Sequence, residues 1–245
     1  MRTKIREIRY TCGAFLDVSC FPVYKNAKGR KRKFCASSEC QKNLNEKNSR
    51  RRLSRLKHAN CCERDLGLHL TYREEEMPKT EEEAKGDVKN FLRRLRRLYK
   101  GSGIELKYIS VTEKGERSSR VHHHLVVTGG VSRDEVERLW KKGRANTKRL
   151  QFDETGIAGI ASYMTKQKLY FRRYNASRNL IDPDKRKKVS DNRMSRGSMG
   201  KLMFYSDKET VKRLYPGYRL VDVSYSRCEL SGEYYAYIRL KRERL

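Results

Sequence analysis

Three histidines stand in a row in "RVHHHLVVTGG" (residues 120–130), in a chain of 245 residues that has five in all. The flanking Val121 and Leu125 to Val127 read as a buried strand. Side chains alternate across a strand, so His122 and His124 share one face. His123 faces the other way with Val121, Leu125 and Val127, as a core residue would. Two imidazoles two residues apart can grip a metal ion from one side. Register suggests a third ligand. A hairpin of residues 104–113 and 120–128 around a loop at 114–119 sets Glu113 opposite Arg120 and Val111 opposite His122. Glu113 then lies on the histidine face, diagonal to His122. Two histidines and a carboxylate leave coordination positions open for a substrate oxygen. The competing reading is a structural histidine cluster at a strand start, with a solvated glutamate at a loop edge.

A second constellation lies downstream. Periodicity predicts a helix over 155–170, with Ile157, Ile160, Ala161 and Met164 as its apolar stripe. At about 100° per residue, Tyr163, Lys166 and Tyr170 fall on the opposite side. A tyrosine held by a packed helix but turned away from its stripe is a surface residue or a presented nucleophile. Lys166 lies one turn on, on the same side.

The elements that must position these residues alternate between strands and helices. A hairpin over 6–24 turns near Cys12-Gly13, and "KNAKGRKRK" (25–33) reads as a basic loop. Residues 37–60 look helical, with Leu44, Leu53 and Leu56 sparse among Lys and Arg. "LGLHLTYRE" (66–74) is a strand with Leu66, Leu68, Leu70 and Tyr72 on one face. Thr80 to Glu83 is a capping box opening a helix that buries Val88, Phe91, Leu92, Leu95, Leu98 and Tyr99. Residues 104–113 form the next strand. Ser132 to Glu135 is a second capping box, with Val131 and Val136 as a hydrophobic staple and Leu139 and Trp140 on the buried side. Residues 147–152 form a short strand. "DPDKRKKVSDNRMSRGSMG" (182–200) reads as a polar, mobile loop. A short helix at 206–214 and strands at 217–226 and 232–241 close the chain. The order predicts an α+β protein with an antiparallel sheet and helices on one face. It divides into a basic extension (1–60), a core (61–175), and a basic loop with C-terminal strands (176–245).

Composition narrows the partner. The chain carries 59 Lys and Arg against 30 Asp and Glu, a formal charge of +29. Self-repulsion at that charge favours a polyanionic partner, nucleic acid ahead of an anionic membrane surface. No apolar run approaches the ~20 residues of a membrane helix, and the N-terminus lacks a signal peptide's apolar stretch. A soluble intracellular protein is expected. Seven cysteines fit a reducing compartment. Cys12, Cys20, Cys35 and Cys40 lie near one another and could hold zinc or be ordinary buried thiols, since their spacing is not the tight paired pattern.

Taken in order, three motifs resemble those of the HUH endonucleases, the rolling-circle replication initiators of plasmids and single-stranded DNA phages. "LHLTY" (68–72) resembles the first motif, a strand with a threonine. "RVHHHLV" (120–126) resembles the histidine-hydrophobic-histidine motif, with His123 at the hydrophobic position. "YMTK" (163–166) resembles the tyrosine-x-x-lysine motif, and Glu113 in "VTEKG" resembles the acidic ligand upstream. The likeness covers about residues 65–170. With "LYPGY" (214–218) the whole chain also resembles replication-associated proteins of Firmicutes plasmids, phages and mobile elements.

The resemblance implies a ferredoxin- or RNA-recognition-like nuclease fold with the histidine strand in the middle. Tyr163 would attack a phosphate in single-stranded or origin DNA, leaving a 5′-phosphotyrosine and a free 3′-hydroxyl. Glu113, His122 and His124 would hold Mg²⁺ or Mn²⁺, Lys166 would assist, and His69 and Thr71 would support the site or contact DNA. No phosphate loop is visible, because "GSMGK" (197–201) is too short, so any helicase would come from the host. A non-catalytic basic nucleic-acid-binding protein is a rival, and a transposase or relaxase of the same superfamily is another.

Overall fold

A computed structural model describes residues 3–23, 39–115, 120–157, 174–228 and 232–243, with the backbone alone for 39–43. The chain divides into two compact units, residues 61–180 and residues 1–60 with 181–245. The architecture is α+β with antiparallel sheets, as the element order predicts. Among the described residues no helix is long and apolar enough to cross a membrane.

The strands of the first unit are β3 (Leu66–Thr71), β4 (Tyr108–Lys114), β5 (Val121–Val127), β6 (Ala145–Arg149) and β9 (Asn175–Ala176). They form one sheet in the order β6-β3-β5-β4-β9, with the histidine strand at its centre. Helices α2 (Glu81–Gly101) and α3 (Arg133–Arg138) bring Phe91, Leu92, Leu95, Val136 and Trp140 against Leu66, Leu68, Leu70, Val121, Leu125 and Val127. Burying one such side chain stabilises by about 1.5–3 kcal/mol, which anchors one face of the sheet. Thr80 caps α2 by accepting from the Glu83 amide at 3.2 Å. The Glu83 carboxylate reaches the Lys79 amide at 2.7 Å rather than the amide of the cap residue itself. Ser132 makes no side-chain cap; the first turn of α3 is closed by the Val136 amide on the Ser132 carbonyl.

Local chemistry overrides periodicity in two places. Residues 156–157 are strand, not the start of a helix: β7 (Phe152–Asp153) pairs with β8 (Gly156–Ile157). Asp153 Oδ1 accepts from both the amide and the hydroxyl of Thr155 at 2.7 Å, and Gly156 takes a φ of +121°, so a tight turn replaces a helical one. Residues 158–170 of the predicted helix, like the basic loop 25–33, lie outside the described residues. The segment 182–200 is also not simply a loop. Residues Lys188–Ser190 form strand β10, and Ser195 caps helix α4 (Arg196–Tyr205) by accepting from the Ser198 amide at 3.0 Å.

The second unit holds β1 (Lys4–Cys12), β2 (Phe15–Val23), α1 (Glu39–Asn60), β10, α4, α5 (Lys208–Leu214), β11 (Tyr218–Arg227) and β12 (Tyr234–Arg242). Its sheet runs β10-β1-β2-β12-β11. Gly13, at φ +62°, makes the β1–β2 turn, and a Cβ there would lie 2.5 Å from the His58 carbonyl oxygen. Helices α4 and α5 cover one face through Met199, Leu202, Met203, Val211 and Leu214. Helix α1 lies on the other, where Arg51 and Arg55 stack over Tyr237 and Tyr10. Cys12 pairs with Phe15, and Cys20 with Glu7. By alternation the two thiols project from opposite faces, so one ion cannot take both. Cys35 and the Cys40 side chain lie outside the described residues.

Candidate metal centre

Alternation on three neighbouring strands builds the site. On β5, His122 and His124 face away from α2, while Val121, His123, Leu125 and Val127 face it. Across β3, Thr71 pairs with His122 and His69 with His124. Across β4, Glu113 pairs with His122 and Val111 with His124. The hairpin register therefore differs by two residues from the expected one, which set Glu113 opposite Arg120. A shift of two preserves the face, so Glu113 still joins the histidines, now directly opposite His122. The ladder continues to Lys114–Val121, and the Gly115 amide bonds the Arg120 carbonyl at 2.9 Å, so residues 116–119 make the connection.

One ring nitrogen each from His69, His122 and His124 lies within 4.8 Å of the other two. Glu113 Oε2 stands 3.5 Å from His122 Nε2 and 3.6 Å from His124 Nε2. These separations are long for hydrogen bonds. Burial, reinforced by His69 and His122, pushes His124 down to about 3. Burial, with His122, also lowers His69. Both are therefore neutral near pH 7, and His124 does not form an ion pair with Glu113. The Nδ1 of His122 approaches the Arg120 carbonyl at 3.4 Å, where it can only donate, and its Nε2 faces Glu113.

The arrangement is costly as it stands. Glu113 is 1% exposed, and among the described residues neither its Oε1 nor His124 Nδ1 has a hydrogen-bond partner. A buried carboxylate with no Lys or Arg partner and an unpaired oxygen is poorly compensated. A divalent cation would compensate it: neutral imidazole nitrogens and a carboxylate oxygen are the donors such ions take. The residues present fit a metal ion, which Glu113, His122 and His124 would hold, with His69 alongside.

The opposite side of β5 is pinned by a satisfied network. His123 is fully buried and pushed down to about 3, chiefly by burial. Its Nε2 meets the Tyr72 hydroxyl at 2.7 Å and its Nδ1 the Thr112 hydroxyl at 2.8 Å. Both ring nitrogens are thus engaged across the three central strands, so the middle histidine locks the strand that presents its neighbours. Trp140 Nε1 donates to the Thr71 carbonyl at 2.8 Å. The Thr71 hydroxyl donates to the Arg144 carbonyl at 3.2 Å. A Cβ on Gly143 would come within 2.2 Å of the Thr71 carbonyl oxygen, so only glycine allows that approach.

The structure brings together Glu113, His122, His124, His69 and Thr71. Tyr163, Lys166 and Tyr170 lie outside the described residues. Sequence reasoning assigns His69 only a supporting role, although its place beside His124 makes it part of the nitrogen cluster. The available signal is parity: His69 and Thr71 share a face of an adjacent strand. Sequence reasoning also misses Tyr72 and Thr112 as holders of His123. It misses Arg120 too, which donates to the Tyr72 carbonyl at 3.0 Å and pairs with Glu74 at 2.5 Å to tie down the start of β5.

Residues 65–168 match the model of the replication-associated protein family ORF2/gene-II-protein. Over that span the chain is similar to that family, and the span contains the whole histidine cluster together with Tyr163 and Lys166. No curated protein and no solved structure matches the chain.

Proposed function

We propose that this protein initiates rolling-circle replication as a metal-dependent endonuclease that nicks and rejoins single-stranded DNA. The observation that carries this reading is the buried Glu113 carboxylate facing His122 and His124 with an oxygen left unpaired. Similarity to replication-associated proteins over residues 65–168 supports the replication role.

In this reaction Tyr163 is the nucleophile. Its phenolic oxygen forms a new bond to the scissile phosphorus and loses its proton. The bond to the 3′-oxygen breaks, and that oxygen leaves with the electron pair and is protonated to a 3′-hydroxyl. The 5′-phosphate remains on Tyr163, and attack by a free 3′-hydroxyl reverses the step without ATP. A phenol of pKa about 10 is mostly protonated near neutrality, so the reaction needs help at both oxygens. A bound Mg²⁺ or Mn²⁺ would supply it by Lewis-acid polarisation of the phosphate. Glu113, His122 and His124 would hold that ion, and His123 keeps β5 in place. Lys166, three residues after Tyr163 in the sequence, would neutralise phosphate charge. His69 and Thr71 line the same face.

Incubation with single-stranded origin DNA and Mn²⁺ should yield a covalent adduct that maps to Tyr163 by peptide sequencing. His122→Ala with His124→Ala, or excess chelator, should abolish it while leaving the fold intact. Full nicking under either condition would refute the reading. An adduct on Tyr170 would move the nucleophile.

A further inference from the structure

The unit formed by residues 1–60 and 181–245 carries 33 Lys and Arg against 13 Asp and Glu, so it holds +20 of the chain's +29. Yet it lacks the histidine cluster, and its buried acids are neutralised from within. Asp17 takes two bonds from Arg239, and Glu7 takes one from Arg193. Among the described residues, Lys201 and Arg227 are part of that excess and are exposed.

One part of that surface is aromatic. Phe204 at the end of α4 is 51% exposed, Tyr205 beside it 81%, and Tyr225 on the edge strand β11 46%. Phe204 meets Tyr225 and Tyr234 edge-on, at centroid distances of 5.4 and 5.6 Å. Tyr225 and Tyr234 are 6.3 Å apart. Each edge-on contact covers one ring face, Tyr234 also packs against the core, and the exposed remainder of Phe204, Tyr205 and Tyr225 is left to solvent. Folding alone does not explain such a cluster, because exposed aromatic area costs hydration. Basic groups interleave with it. Arg227 lies directly across from Tyr234 on the same face as Tyr225, and its Nε donates to the Gly232 carbonyl at 3.2 Å. Lys201, exposed, is one turn before Phe204 on α4.

We infer that Phe204, Tyr205, Tyr225 and Tyr234, flanked by Arg227 and Lys201, form a stacking platform for the unpaired bases of a single nucleic-acid strand. Open rings take bases of any sequence, and the flanking cations follow the phosphates. A duplex keeps its bases stacked inside and offers the rings nothing. The charge of the unit argues against a second copy of this chain as the occupant, since two surfaces of the same sign repel.

The site is distinct from the histidine cluster, and its test uses binding alone, in chelator, so loss of nicking does not decide it. Full-length protein would be titrated with a fluorescent oligo-deoxythymidylate and with an abasic strand of equal length. Tyr225→Ala and Tyr205→Ala should each weaken binding to oligo-deoxythymidylate about tenfold, the loss of one stacked base, and leave the abasic strand unaffected. Phe204→Leu keeps apolar volume without a ring to stack and should behave likewise, which guards against a folding defect. Arg227→Gln should weaken both strands. For the three aromatic variants, equal losses on both strands, or none, would overturn the platform. So would a change of mass in sedimentation on Tyr205→Ala with base-dependent binding intact, which would make the patch a self-association surface.

Discussion

Asp17 and Glu7 in one sheet are as deeply buried as Glu113 in the other, and the two sheets treat these carboxylates in opposite ways. Asp17 accepts from Arg239 at 2.9 and 3.1 Å and from the Tyr237 hydroxyl, and Arg239 also reaches Ser54 at 3.0 Å. Glu7 accepts from the Tyr215 hydroxyl at 2.6 Å and from Arg193 at 3.2 Å. The carboxylate beside Tyr215 adds to burial in pushing that phenol up, so it stays a donor. Glu113 has no Lys or Arg partner among the described residues, only imidazoles at distances beyond hydrogen bonding. A buried charge compensated by its own chain holds a fold together, whereas one left uncompensated marks a place for something from outside.

Three measurements would break or sharpen that contrast. The largest effect is expected at Asp17. Asp17→Ala strands the Arg239 guanidinium and the Tyr237 hydroxyl, and chemical denaturation should record a loss of about 3–5 kcal/mol, the cost of removing one partner from a buried pair. A loss within experimental error would mean that the pair is not structural.

Next comes the ion. Mn²⁺ at a hundred times its Kd should stabilise the wild type by about 2.7 kcal/mol through linkage, read as a rise in Tm. The rise should vanish in the His122→Ala, His124→Ala double variant. An equal rise in both proteins would place the ion elsewhere.

The smallest effect belongs to Glu113. In chelator, Glu113→Gln removes an uncompensated buried charge at nearly constant volume. Stability should stay within about 1 kcal/mol of wild type or increase, because the interaction lost is not a made hydrogen bond. The variant should also lose the Mn²⁺ response. If Glu113→Gln costs as much as Asp17→Ala, the two sheets do not differ and Glu113 is a structural acid.

Much of the histidine site is legible in the sequence. Parity alone puts His122 with His124 and turns His123 inward, because a strand has a period of two. Parity also carries Glu113 to the right face, although the expected register is two residues off. That residual error has a physical source: pairings two apart bury the same side chains, so the hydrophobic pattern cannot choose between them. Tertiary contacts choose, among them Arg120 anchored on Tyr72 and Glu74 at the start of β5. The helix expected over 155–170 does not start at 155–157, because side-chain bonds from Asp153 and a positive φ at Gly156 make a tight turn there.

What the sequence determined by itself is local: which residues alternate, where helices are capped, and how charge is distributed along the chain. The tertiary structure alone decided which distant segments meet. Strand β2 pairs with β12, so Asp17 finds Tyr237 and Arg239 more than two hundred positions away. Strand β3 pairs with β5, so His69 stands beside His124. An acid in an apolar run such as "FLDVSC" signals that a partner is needed, but not which one. Strand pairing is fixed by the packing of whole faces against helices, and that information is spread over the chain rather than carried by either residue of a pair.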